Sequence, residues 1–169
     1  KDILVNSMSV GESVVSKYLG SSTAGPIVDC GTTDTYLHRS LLPAFKHAWS
    51  KATSIPLKTR SSAYYTPEEY RELPTIAFIV EGGSIYMGKE HYCARSNDKY
   101  VLRLAFTESR AGVLGGNFIR NHDVIFDVER RKMGFAESLC DFNEAWDLHH
   151  HPLSEDVDCD FVDVPVSEC

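Results

Sequence analysis

The chain has 169 residues, of which 43% are hydrophobic and 24% charged, a composition typical of a globular domain with its own core. Its formal net charge is −7 at pH 7, so nucleic acid and anionic membrane surfaces, which are themselves negative, are poor partners. A transmembrane helix needs roughly 18 or more apolar residues in a row, and the sequence has no such run.

The first residues predict a strand over residues 3–10 that ends at a turn at Gly11. Residues 13–17 are expected to pair back on this strand as a hairpin partner. Lys1 leads directly into an apolar, alternating segment, so we expect the chain to be a fragment of a longer protein.

An acid follows a short apolar strand in residues 26–33, whose sequence is PIVDCGTT. A carboxylate in this place is costly unless hydrogen bonds hold it. Gly31 allows the backbone to turn and bring N–H groups near Asp29, and Thr32 and Thr33 add hydroxyl donors. The stretch therefore suits a carboxylate held at the bottom of a cleft, although a simple Asx turn at a strand end would use the same residues.

A helix is predicted over residues 40–50, with Ser40 as its N-cap. Its apolar side chains recur at helical spacing and are expected to pack in the core rather than line a groove. They are Leu41, Leu42, Phe45 and Trp49. The polar residues 51–71 then predict a surface loop with at most one helical turn near Pro67.

Several strands follow. Residues 73–80 and 84–87 flank a Gly-Gly turn and predict a hairpin, and residues 100–106 alternate as a further strand. Three glycines within residues 112–116 indicate a close approach of two backbones. Phe118 begins a short helical turn, and residues 124–128 and 132–136 predict a final hairpin.

Five cysteines are present, so at least one is free or pairs outside this chain. Cys30, next to the acid in backbone that should be buried, is the candidate free thiol. The other four allow three pairings, among which the sequence does not choose; they are Cys93, Cys140, Cys159 and Cys169. The absence of a C-x-x-C spacing argues against a zinc site, and disulfides would indicate an oxidising compartment.

Residues 141–169 are acidic and are expected to form a cysteine-containing extension that packs on the preceding domain of residues 1–140. Three consecutive histidines, at 149–151, invite a metal hypothesis. Consecutive side chains point in different directions in any regular structure, so we expect no metal site there.

Two blocks together resemble the C-terminal lobe of pepsin-like aspartic proteases. The first, residues 27–33, matches the family's acid-bearing D-[ST]-G-[ST] loop. The second, residues 113–136, matches an apolar-apolar-Gly segment followed by a strand, a basic turn and a G-[FL]-A strand. The resemblance implies a mostly β fold with antiparallel sheets and one or two short helices. The extension resembles that of the membrane-anchored β-secretase group.

Carried over by position, the resemblance makes Asp29 the second catalytic acid. Gly31 would donate an N–H to its carboxylate, and Thr32 would bond the outer carboxylate oxygen. Together with Thr33, Thr32 would contact the substrate backbone. The residues implied for the side-chain subsites beside the scissile bond are Ile27 and Val113.

The sequence departs from the family at Cys30, where the family has Thr or Ser. In the family that hydroxyl helps to lock two acid loops together, and a thiol is a weaker and longer donor. We expect looser interlocking, by about 1 kcal/mol per hydrogen bond lost, but surviving activity. Gly116 stands where many relatives have Asp, which should alter a subsite rather than the chemistry.

The resemblance implies an aspartic endopeptidase that hydrolyses peptide bonds with two carboxylates and a water, at acidic pH and without a cofactor or metal. This chain has only one acid motif; its other acids, among them Asp34, Asp98, Asp123 and Asp127, lie outside such a context. Asp127 matches a structural acid of the family's hairpin. The chain alone should therefore be inactive and need an N-terminal lobe, as upstream sequence or as a second chain.

The expected partners are that lobe, polypeptide substrates and pepstatin-like inhibitors. The expected location is the secretory pathway, secreted or lumenal, with synthesis as a zymogen and an anchor possible in the full protein. Two other hypotheses remain: a non-catalytic homologue that binds peptides or protein partners in the same cleft, and self-dimerisation of this lobe.

Overall fold

The computed structural model describes residues 1–19, 25–59, 64–108 and 112–138, together with the backbone of 164–165. The strands are β1 Asp2–Val5, β2 Met8–Ser9, β3 Ile27–Val28, β4 Thr35–His38, β5 Tyr64–Tyr65, β6 Ile76–Val80, β7 Gly83–Met87, β8 Cys93–Ser96, β9 Lys99–Leu102, β10 Leu104–Thr107, β11 Val113–Leu114, β12 His122–Asp127, β13 Lys132–Glu137 and β14 Val164–Pro165. The helices are α1 Glu12–Leu19, α2 Leu42–Ala52, α3 Pro67–Arg71, α4 Lys89–Tyr92 and α5 Gly116–Ile119, and a 3-10 turn spans Arg39–Leu41.

The described strands form four small sheets, in the orders β2-β1-β6-β7, β10-β4-β11-β3, β12-β13-β14 and β5-β9-β8. Most neighbouring strands are antiparallel, and the exceptions are β10 with β4 and β11 with β3. The predicted mostly β class is confirmed, although the described residues contain five helices rather than one or two. No helix among them is long and apolar enough to cross a bilayer.

The N-terminal segment differs from the sequence prediction. Residues 3–10 form two strands rather than one, because Asn6 takes a left-handed conformation (φ 51°) and turns the chain back on itself. The predicted hairpin partner at 13–17 is wrong, since α1 occupies this place. Gly11, at φ +117°, ends the extended chain, and its carbonyl accepts from the N–H groups of Val14 and Val15.

The apolar spacing in α1 explains why it is a helix. Val15 is buried, and Val14, Tyr18 and Leu19 are partly buried against the core. These four residues are spaced three and four positions apart, as on one face of a helix. Two adjacent β-branched residues favour a strand locally, but this packing overrides that preference.

The helix predicted after the acid loop is present as α2, and its apolar face packs in the core as expected. Leu41, Phe45 and Trp49 are at most 1% exposed. Ser40 is not the N-cap of α2, because the 3-10 turn intervenes. There, His38 Nδ1 accepts from the Ser40 N–H (3.1 Å).

Residues 51–71 contain more structure than the predicted surface loop. Thr66 and Glu69 form a reciprocal capping box at the start of α3. Tyr65 is fully buried, its hydroxyl accepting from the Lys58 N–H (2.9 Å), whereas Tyr64 is 42% exposed. Tyr70 stacks on Tyr100 at 3.8 Å between ring centroids.

The predicted hairpins are present as β6–β7 and β12–β13. The strand predicted at 100–106 is divided into β9 and β10 by Arg103, which belongs to neither. The expected short helical turn is α5, which begins two residues before Phe118. Asp127 accepts from the Arg130 N–H (2.9 Å) and side chain (2.8 Å), so it stabilises the final hairpin turn, as expected of a structural acid.

The cysteines differ in part from expectation. Cys30 is a free thiol but is exposed, whereas its surroundings were expected to be buried. Cys93 is a buried free thiol rather than a disulfide partner, and burial raises its pKa to about 12, so it stays protonated. Cys140, Cys159, Cys169 and the three histidines at 149–151 lie outside the described residues. Of the extension, β14 pairs with β13 through its backbone.

The glycine segment makes the close approach that the sequence predicted. A Cβ on Gly115 would lie 2.2 Å from the carbonyl oxygen of Asp34 and 2.6 Å from that of Thr32. Gly115→Ala should therefore lower the free energy of unfolding by at least about 3 kcal/mol, measured by urea denaturation. Gly116→Ala is the matched control: its nearest neighbour is 3.5 Å away, so we expect a change within about 0.5 kcal/mol. Equal losses for both variants would contradict a specific contact at Gly115.

His91 predicts acid sensitivity. Its ring is buried, and neither ring nitrogen has a hydrogen-bond partner in the described part of the chain. Burial lowers the pKa of His91; Glu90 opposes this effect, and the positive charges of His122 and Arg120 add to it. A lowered pKa favours the unfolded state once the pH falls below the ordinary histidine value, so stability should decline from about pH 6.5 downward.

His91→Phe removes this titration and should flatten the decline of unfolding free energy between about pH 6.5 and 4.5, measured by urea denaturation at several pH values. His47→Phe, at an exposed position of α2, is the control and should leave the slope unchanged. An unchanged slope in His91→Phe would show that other groups cause the acid sensitivity.

Candidate active site

The acid loop is the chain between β3 and β4, two strands that do not pair with each other. Strand β11 lies between them, parallel to β3 and antiparallel to β4. Ile27 N donates to the carbonyl of Gly112 and Asp29 N to that of Leu114, both at 3.0 Å. The loop must therefore cross over the end of β11, and Asp29 lies where β3 ends and this crossing begins.

The Asp29 carboxylate is oriented by a donor on each oxygen. Gly31 N donates to Oδ1 (2.9 Å), and Thr32 Oγ1 donates to Oδ2 (2.6 Å). The Thr32 hydroxyl, followed by the Gly31 N–H, lowers the pKa of Asp29, and partial desolvation opposes the shift. The two hydrogen bonds expected from the sequence are thus present, and they favour an ionised carboxylate.

The residues that follow β11 hold the acid loop through backbone hydrogen bonds. Gly116 N donates to the carbonyl of Thr32 (2.6 Å), and Asn117 N donates to that of Thr33 (3.1 Å). Gly115 lies directly under this crossing, where no side chain fits. The two sequence blocks, about 80 residues apart, therefore form one structural unit.

The other predicted site residues lie around this unit. Ile27 is 54% exposed and pairs side by side with Val113, which is half-buried. Gly31, Thr33 and Cys30 are exposed on the loop, so the site has an open face. The structure brings all of these residues within one loop and the strand beside it.

No second acid joins Asp29 in the part of the chain that the structure describes. The causes of its pKa shift are hydrogen bonds and desolvation, without a contribution from another carboxylate. Residues 1–19, 25–59, 64–108 and 112–138 contain no group of three or more histidine, cysteine or acidic side chains that could hold a metal ion. The arrangement offers one oriented, ionisable carboxylate and open space beside it.

Sequence reasoning missed the contacts of four residues in or near the loop. Asp34 bonds Arg103, which lies 69 positions away, and the side chain of Asn117 bonds Thr35, 82 positions away. Asp34 was set aside as an acid outside the motif. No pattern in a single sequence connects partners at such separations.

Comparison with known proteins agrees with this geometry. The family model for eukaryotic aspartyl protease matches residues 2–138. The aspartic proteinases nepenthesin-1 and nepenthesin-2 of Nepenthes gracilis are 24% and 23% identical to the chain, over 82% and 70% of its length. These matches cover 35% and 29% of the two relatives, so the chain spans about a third of their length. With a family model that covers most of its residues, the chain belongs to the eukaryotic aspartyl protease family.

Proposed function

We propose that this chain is the C-terminal lobe of an aspartic endopeptidase and that Asp29 is one of the two acids of its catalytic dyad. The observation that carries the proposal is a single carboxylate with a donor on each oxygen, on a loop with an open face. Peptide hydrolysis by two carboxylates needs one of them ionised, to take a proton from water, and the other protonated, to donate one. A chain with one such acid supplies half of the site.

The N-terminal lobe, as upstream sequence or as a separate chain, would provide the other acid. Two facing carboxylates share one proton, so the pair works at acidic pH and titrates as a unit. The hydroxyl of Thr32 and the N–H of Gly31 stabilise the charged form of Asp29, which suits it to be the ionised member. No cofactor has a role in this scheme.

The residues around Asp29 would bind the polypeptide substrate. Ile27 and Val113 lie side by side and offer apolar contact for substrate side chains next to the scissile bond. The exposed Thr33, with Thr32, would contact the substrate backbone. Pepstatin-like inhibitors would bind in the same cleft.

We further propose that the protein acts in the secretory pathway, secreted or in an acidic lumen, and is made as a zymogen. The extension of residues 141–169 would be a surface segment like that of the β-secretase group. What supports the packing of this extension is the pairing of β14 with β13. Disulfides, if present, would have to involve cysteines other than Cys30 and Cys93.

Asp29→Asn tests the proposed acid. In the protein expressed with its N-terminal lobe, this change should reduce peptide hydrolysis between about pH 3 and 6 by at least about a thousandfold, because an amide neither takes nor shares the proton. Asp127→Asn is the matched control, since it removes a carboxylate that serves a hairpin turn, and activity should persist.

The chain of residues 1–169 alone should hydrolyse no peptide substrate. If the intact two-lobe protein cleaves no peptide substrate but still binds peptides in the cleft, the chain belongs to a non-catalytic binding homologue instead.

Cys30→Thr tests the departure from the family motif. A threonine hydroxyl is a better donor than a thiol, so we expect firmer interlocking of the two acid loops and a gain of about 1 kcal/mol in the free energy of unfolding of the two-lobe protein. Cys30→Ala provides the comparison, because it removes the thiol without adding a donor. If both variants are equally stable, position 30 makes no hydrogen bond that matters.

A further inference from the structure

A second layer of polar contacts lies behind the acid loop, around the segment of residues 32–35. Thr32 and Thr33 are bonded through their carbonyls by the N–H groups of Gly116 and Asn117. The remaining two residues, Asp34 and Thr35, are bonded by Arg103 and by the side chain of Asn117. Each residue of the segment therefore has at least one partner outside the loop.

Arg103 contacts the segment with both its backbone and its side chain. Its N–H donates to the carbonyl of Tyr92 (2.7 Å), and Tyr92 is fully buried, so the Arg103 backbone is anchored in the core. Its carbonyl accepts from Thr35 N (3.3 Å), and its Nε donates to Asp34 Oδ1 (2.7 Å). Arg103, which lies between β9 and β10, thus bonds Tyr92 on one side and the segment 32–35 on the other.

Asn117 completes the layer. Its Oδ1 accepts from Thr35 Oγ1 (2.8 Å), and its Nδ2 donates to the carbonyl of Arg103 (2.9 Å). Thr35 is fully buried, so its hydroxyl would be costly without this partner. One amide side chain thus joins the loop to Arg103.

The Asp34–Arg103 pair differs from the exposed ion pairs of the chain. Its side chains are 21% and 39% exposed, whereas those of Glu108 and Arg39, paired at 2.8 Å, are 79% and 66% exposed. A partly shielded pair is screened less by solvent, so it constrains its two backbones more firmly. Asp34 lies two residues after Thr32, whose hydroxyl donates to the Asp29 carboxylate.

We propose that Arg103 and Asn117 are positioning residues that, through Asp34 and Thr35, hold the segment 32–35 so that the Thr32 hydroxyl keeps its place on the Asp29 carboxylate. Neither side chain touches the reacting atoms. The catalytic meaning of this inference rests on the proposed function, whereas the geometric part concerns the acid loop alone. A purely structural role would change stability without changing the environment of Asp29.

The experiment uses the two-lobe protein and a double-mutant cycle of Asp34→Asn and Arg103→Gln. Each single variant should lower kcat by about tenfold and leave KM within about twofold, because orientation and not binding is lost. The apparent pKa reported by the Asp29 carboxyl carbon in NMR, assigned by the signal lost in Asp29→Asn, should rise, since the Thr32 hydroxyl is the largest cause of the lowered pKa. The double variant should be no worse than either single one.

Two further sets of variants sharpen the test. Arg39→Gln and Glu108→Gln break the exposed arginine–glutamate pair, whose two residues lie outside the segment 32–35, and both kcat and the Asp29 pKa should stay at the wild-type values. Arg103→Lys keeps the positive charge and should recover part of the lowered pKa. Asn117→Ala should raise the Asp29 pKa as Asp34→Asn does.

An unchanged kcat and an unchanged Asp29 pKa in Asp34→Asn and Arg103→Gln would overturn the proposal, even if both variants melt at lower temperature. Additive losses in the double variant would also contradict it, because the pair would not act as one unit. If the wild-type two-lobe protein hydrolyses no substrate, the proposed function fails, and the NMR comparison still decides whether Arg103 positions the acid.

Discussion

The insertion of β11 between β3 and β4 is the constraint on which the rest of the site depends. Two strands that are close in sequence are separated by one that arrives about 80 residues later, so their connection must pass over the end of the intruding strand. The hydrogen bonds from Ile27 and Asp29 to β11 and its preceding glycine fix this register. The Asp29 carboxylate therefore lies at the start of the crossing, where it is partly exposed.

The crossing is stabilised both by apolar burial and by hydrogen bonds. Phe118 of α5 is 1% exposed and packs edge-on against Phe78 and Phe135. This apolar burial anchors α5, whose first two N–H groups donate to carbonyls of the loop. The polar side chains of Arg103 and Asn117 in turn bond those of Asp34 and Thr35. The backbone under the loop can approach closely because Gly115 has no Cβ.

The electrostatics of the loop are compatible with the half-site proposed above. The Thr32 hydroxyl and the Gly31 N–H lower the pKa of Asp29, and no carboxylate in the described residues raises it, so these contacts favour the ionised form. A facing acid would change this balance, because two carboxylates at short distance cannot both be charged. In the function proposed above, Asp29 would be the member of the dyad that carries the charge, and the other acid would approach from the open face of the loop.

The sequence alone determined the family resemblance, the acid Asp29, its two donors and the glycine segment, because these depend on short local motifs whose chemistry is visible in the residue types. It also predicted α2, from the helical spacing of its apolar residues, and the hairpins β6–β7 and β12–β13, from apolar segments that flank turn residues. It failed at α1, where local β propensity lost to core packing, and at residues 51–71, where a capping box and a buried tyrosine ordered a segment that composition described as polar. Only the tertiary structure decided that β11 lies between β3 and β4 and that Asp34 meets Arg103 and Thr35 meets Asn117, because contacts across 69 and 82 residues arise from how the sheets pack and leave no period or motif in a single chain.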